Sequence, residues 1–188
     1  AEEKKMNAYC EDYKKFLDNG KTERLCVKYC IELAQAKGFK AYKTGMKLKA
    51  GDKVYFNNRG KAIMLAVIGI EKLDKGINLT AAHTDAPRLD LKPSPLYEDG
   101  EIAYFKTHHY GGIRKYQWLT IPLEIHGVVV LANGKSVNVN IGADEGDPQF
   151  IIEDLLPHLH KANDDQPLNK AVPSEILNVV MGSRDRKS

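Results

Sequence analysis

The triplet His83-Thr84-Asp85 is where residue type and spacing point most directly to metal chemistry. An imidazole can ligate a metal ion, and a carboxylate two residues on can orient that imidazole or hold a second ion. In extended chain, positions i and i+2 share a face, so His83 and Asp85 can point the same way. They follow the apolar, β-prone run Gly76-Ile77-Asn78-Leu79-Thr80-Ala81-Ala82, and Pro87 limits its continuation. The run reads as a buried strand delivering polar residues at its carboxyl end, where α/β folds commonly build sites. A lone His-x-Asp carries little information, because a solvated strand end looks the same.

Other residues capable of chemistry are less well placed. The three cysteines are Cys10, Cys26 and Cys30. Cys26 and Cys30 fall i,i+4 on an expected helix, but no second pair or nearby histidine completes a tetrahedral zinc set. An odd cysteine count with no leader segment is the pattern of reduced thiols in a cytoplasmic protein. His108 and His109 are adjacent, so on a strand they face opposite ways and cannot chelate together. His126 and His160 have no expected site role. Arg88 and Lys92 flank the triplet and could attract an acidic substrate, but surface charge explains them as well.

The elements that must position the triplet can be read from periodicity. Met6, Tyr9, Tyr13, Phe16 and Leu17 predict a helix over residues 3–18, with its stripe in the core. Thr22 is an N-cap for a second helix with stripe Leu25, Cys26, Tyr29, Cys30 and Leu33, stopped by Gly38. Phe39–Tyr42, Lys53–Phe56 and Ala62–Ile70 read as strands, the last two around the turn Asn57-Asn58-Arg59-Gly60. The near-continuous apolar run from Ala62 to Gly69 predicts a strand covered on both faces. Pro93 and Pro95 exclude a regular central strand there. Beyond them β signals dominate: Ile102–His109, Tyr116–Val130, and an Asn133-Gly134 turn joining Val128–Leu131 to Val137–Ile141. Asp147-Pro148 predicts a helix start, with Phe150, Ile151, Leu155 and Leu156 on its apolar face and Pro157 ending it. Residues 161–175 read as loop, and Ile176–Met181 as a final strand.

With 188 residues, 43% of them hydrophobic, the chain is long enough for one large domain or two small ones. A net charge of +3 with dispersed lysines argues against nucleic acid as a partner. The apolar runs are too short to span a bilayer as helices.

The segment His83-Thr84-Asp85-Ala86-Pro87-Arg88-Leu89-Asp90-Leu91-Lys92-Pro93 resembles the His-Thr-Asp-Ser-Pro segment of the aspartyl aminopeptidase family of zinc peptidases. The resemblance continues, to bacterial members, through Pro95–Gly100, Lys106–Trp118 and Asp147–Leu159. It implies an α/β fold: the N-terminal part of an α/β/α catalytic domain, residues 1–92, followed by an inserted β-rich dimerisation domain, residues 93–188. It further implies removal of an N-terminal residue, acidic or neutral, from a peptide at two zinc ions. His83 matches a zinc ligand, and Asp85 the catalytic aspartate that orients it. His158 matches a histidine that reaches the neighbouring subunit's site and contacts substrate. Members form homodimers and commonly dodecamers.

The family's remaining site residues are a bridging aspartate, a glutamate pair, a further aspartate and a late histidine. None can be assigned here. Glu2-Glu3 and Leu17-Asp18-Asn19 come too early, and Asp144-Glu145 sits in a loop. The expectation is therefore the N-terminal portion of such an enzyme, cut within the inserted domain and inactive alone. The alternative is a non-catalytic oligomerisation fragment without a complete metal site.

Overall fold

In the computed structural model, which describes residues 2–154 and 166–183, the N-terminal periodicity produces two helices, α1 (Glu2–Asn19) and α2 (Glu23–Ala36). Thr22 caps α2: its hydroxyl accepts the Leu25 N–H at 3.2 Å, satisfying a donor the first turn leaves open. At the other end Gly38 adopts φ 82°. Its N–H donates to the Gln35 carbonyl at 2.9 Å, and that of Phe39 donates to Ala34 at 3.0 Å. This is a Schellman closure, which favours glycine because it requires the left-handed region.

The two helices differ in cover. Cys26, Val27 and Ala34 of α2 are buried, while Leu33, placed in the core by the periodicity, is exposed. In α1 the predicted core stripe is not a core. Met6, Tyr9, Tyr13 and Leu17 are exposed, and among the described residues none in α1 is buried. An amphipathic stripe records which face prefers burial, not whether anything covers it.

Three strands complete the first of two compact units, Ala1–Ala86. β1 (Lys40–Ala41) pairs parallel with β2 (Lys53–Asn58), and β2 pairs antiparallel with β3 (Ala62–Val67), giving the order β1-β2-β3. The β2–β3 turn is held by the Asn57 side-chain oxygen, which accepts the Gly60 N–H at 2.8 Å. Two expectations fail here. β3 is an edge strand, and its Met64, Leu65 and Val67 are exposed rather than covered on both faces. Nor is the run Gly76–Ala82 a buried strand: no described strand pairs with it, and Ile77 and Leu79 are exposed. A strand needs hydrogen-bonding neighbours, and β propensity cannot supply them.

The second unit, Pro87–Ser188, is β-rich. It contains β4 (Arg88–Asp99), β5 (Ile102–Tyr110), β6 (Ile125–Val130), β7 (Ser136–Ile141), a single-turn α3 (Leu168–Ala171) and β8 (Val179–Ser183). β4, β5 and β8 form one antiparallel sheet in that order. β4 is one of its two edges, and its register shifts between Leu91 and Leu96, where Pro93 and Pro95 cannot donate to a ladder. β6 and β7 form the hairpin expected from Asn133-Gly134.

The helix expected from Asp147 is not formed as far as residue 154. Phe150 bridges Leu123 and Ile151 bridges Val180, so this stretch is extended. Phe150 and Ile152 are buried while Ile151 is exposed, an alternation of two rather than of three or four. Asp147 ties the preceding loop instead, accepting the Gly142 N–H at 2.9 Å. Leu155, Leu156 and Pro157 lie outside the described residues. Phe150, Ile152, Val172, Leu177 and Val179 form the core of this unit, with Phe105, Trp118 and Ile125 among the side chains packed on it.

Candidate metal centre

His83 and Asp85 meet. The imidazole Nδ1 lies 2.8 Å from the Asp85 backbone carbonyl oxygen and 3.0 Å from its Oδ1. A carbonyl and a carboxylate can only accept, so Nδ1 carries the proton and donates to both. In the neutral ring this leaves the lone pair on Nε2. The His83 side chain is 82% exposed, so that nitrogen is reachable. A carboxylate or carbonyl behind one ring nitrogen is the usual support of a metal-binding histidine, fixing the tautomer and raising the basicity of the other nitrogen. The donor set thus suits one zinc ligand with its orienting partner. Among the described residues no group of three or more His, Cys, Asp or Glu side chains could hold a metal ion.

The segment carrying this pair is tied to the β2–β3 hairpin by Thr84, whose hydroxyl donates to the Lys61 carbonyl at 3.3 Å. Nothing in the sequence signals this contact, since its partners lie 23 residues apart and neither forms a motif with the other. His158, expected at the substrate, lies outside the described residues, as does His160.

The other candidates have structural engagements. His108 is exposed and His109 half-buried, but their rings stack with centroids 5.6 Å apart, so they do not diverge to opposite faces of β5 as expected. His126 Nε2 is 2.8 Å from a carboxylate oxygen of Glu124, two residues before it. The Arg88 Nε donates to Asp90 at 2.7 Å, and its guanidinium lies 4.1 Å from the Tyr110 ring centroid. Lys92 bonds Glu175 at 3.0 Å and holds that carboxyl below its ordinary range. Both cations flanking the triplet are therefore already matched with acids. Cys26 is buried in α2, and burial first, then the neighbouring Cys30, pushes its thiol up to about 11, the opposite of what a thiolate metal ligand needs.

Among the described residues no helix is long and apolar enough to cross a membrane. The sequence profile of a family described as "Aminopeptidase I zinc metalloprotease (M18)" matches residues 16–187. A Clostridium acetobutylicum protein named "Probable M18 family aminopeptidase 1" is 46% identical over 184 residues, 96% of this chain and 40% of the relative. The crystal structure of an M18 family aminopeptidase from Thermotoga maritima superposes with a TM-score of 0.89 at 42% identity, over 96% of this chain and 40% of that one. Aminopeptidase I from Borrelia burgdorferi B31 gives 0.84 at 38% identity, over 100% of this chain and 42% of that one. At 20% identity, a dodecamer of mApe1 from S. cerevisiae gives 0.68, a likeness of fold alone. The chain spans about 40% of the length of the curated relatives it matches.

Proposed function

The chain belongs to the aminopeptidase I zinc metalloprotease (M18) family, and from that premise we propose that His83 and Asp85 form part of a two-zinc aminopeptidase site. The whole enzyme releases N-terminal residues, acidic or neutral, from peptides. The observation carrying this reading is the His83–Asp85 pair itself, with Nδ1 held at 2.8 and 3.0 Å and Nε2 left outward.

His83 would offer Nε2 to one ion, and Asp85 would hold the ring's tautomer and stabilise the positive charge left on the imidazole as the metal draws its electrons. When bound, zinc polarises the scissile carbonyl and lowers the pKa of a coordinated water toward neutrality. The further ligands and the proton-shuttling glutamate belong to residues outside those described. His158 of one subunit contacts the substrate held by its neighbour, where a donor can stabilise developing negative charge on the carbonyl oxygen.

In this reading residues 1–92 are catalytic-domain sequence and residues 93–188 belong to an inserted dimerisation domain. The working form is a homo-oligomer, a dimer or, as in the yeast relative, a dodecamer. It resides in the cytoplasm, in keeping with free thiols at Cys10, Cys26 and Cys30. The 188 residues alone do not turn over peptide, because a single histidine with its carboxylate cannot hold two ions.

The test is His83→Ala in the whole enzyme. Bound zinc should drop, and kcat/KM should fall by more than about 100-fold, a larger loss than the 10- to 100-fold typical of an orienting partner such as Asp85 in Asp85→Asn. Full zinc content and activity in His83→Ala would reject the reading.

A further inference from the structure

The turn joining β2 to β3 carries a residue its shape does not favour. The Lys61 N–H donates to the Asn58 carbonyl at 3.1 Å, and the two residues between, Arg59 and Gly60, have φ 57° and 72°. Two central residues at positive φ make a type I′ turn, whose first central position prefers Asn, Asp or Gly. Arginine there crowds its Cβ against the backbone. A side chain held in the left-handed region against local preference is a pointer to function.

The same turn gathers positive charge. Asn57-Asn58-Arg59-Gly60-Lys61 contains two cations and no acid. A third comes from α2: the Arg24 Nη1 lies 3.5 Å from the point where a Cβ on Gly60 would stand, so the bare glycine admits its guanidinium. Like charges brought together repel, and an arriving anion relieves that repulsion. The turn is also one hydrogen bond from the metal pair. Its Lys61 carbonyl accepts, at 3.3 Å, the hydroxyl of Thr84, which stands between His83 and Asp85.

We propose that Arg59 is a specificity-determining residue of the aminopeptidase, binding a carboxylate of the peptide substrate with Lys61 and Arg24 beside it. This rests on the zinc-site reading of His83 and Asp85. The planar guanidinium fork matches a carboxylate in two hydrogen bonds, which a lysine in its place cannot reproduce. The carboxylate belongs either to the residue being released or to an acid further along the peptide, and the choice of substrates separates the two.

The test measures kcat/KM of the whole zinc enzyme on four amidated peptides: Asp-Ala-Ala against Asn-Ala-Ala, and Ala-Ala-Asp against Ala-Ala-Asn. Arg59→Asn suits the turn better and removes the charge, so the protein should melt no lower than wild type. Its preference for the acidic member of one pair should fall by about tenfold, the scale of one charge-assisted hydrogen bond. Arg59→Lys should keep part of that preference. A fall in the first pair assigns the carboxylate to the released residue, and a fall in the second assigns it to the downstream acid. A wild type indifferent to the acid in both pairs, an unchanged preference in Arg59→Asn, or an equal loss on acidic and neutral peptides overturns the proposal. If His83→Ala loses zinc while Arg59→Asn keeps both preferences, the specificity assignment alone is wrong. If His83→Ala keeps its zinc and activity, the reading beneath it fails as well.

Discussion

Ile77 and Leu79 of the first unit are 69% and 78% exposed, whereas Ile152 and Leu177 of the second are 1% and 0% exposed. The four side chains are nearly interchangeable in hydrophobicity, so composition does not separate them. What separates them is the supply of neighbours. In the second unit β8 returns to lie beside β5, and the buried Thr107 hydroxyl donates to the Leu177 carbonyl from 70 residues away. Segments from both ends of that unit close over a shared core. In the first unit the described sheet ends at β3, and the apolar run after it pairs with no described strand. The candidate metal pair sits at the end of that uncovered run. Hydrophobicity states a demand for burial, and only the arrangement of strands meets it.

The contrast can be broken by mutation. Leu177→Ala should cost the second unit about 2–5 kcal/mol, because the removed atoms leave a cavity in a closed core. The chain's single tryptophan, Trp118, packs on that core, so its fluorescence should report an earlier denaturant midpoint. In the first unit the largest local support is a cap. Thr22→Ala removes the acceptor of the Leu25 N–H and should cost about 1 kcal/mol, seen as a lower helical melting temperature by circular dichroism. Leu79→Ala should change stability by less than about 0.5 kcal/mol, as expected for an exposed side chain. A loss in Leu79→Ala as large as that in Leu177→Ala would mean that the run is packed after all, and the contrast between the units would disappear.

Much of the local structure was legible. Thr22 and Gly38 bound α2 because capping is decided within a few residues. Asn133-Gly134 makes its hairpin because the turn needs φ > 0, which Gly134 supplies at 79° between two β-prone runs. The proximity of His83 to Asp85 also needs only the i+2 spacing. The segment after Asp147 was misread because Phe150-Ile151-Ile152 is too short for its period to be decided. Bridges to Leu123 and Val180, distant in sequence, make it extended. The Thr84–Lys61 hydrogen bond has no signal in the sequence, since no local rule connects a loop hydroxyl with a turn carbonyl on another element.

By itself the sequence determined the chemistry on offer: an imidazole, an acid two positions on, the family motif around them, and the caps and turns of the nearby elements. Those are matters of residue type and of backbone geometry over a few residues. The tertiary structure alone decided which apolar runs found cover, that β3 is an edge of the described sheet, and that the Thr84 hydroxyl meets the Lys61 carbonyl. The reason is that burial and anchoring depend on contacts between segments far apart in the chain, and no short-range preference specifies which distant segment arrives.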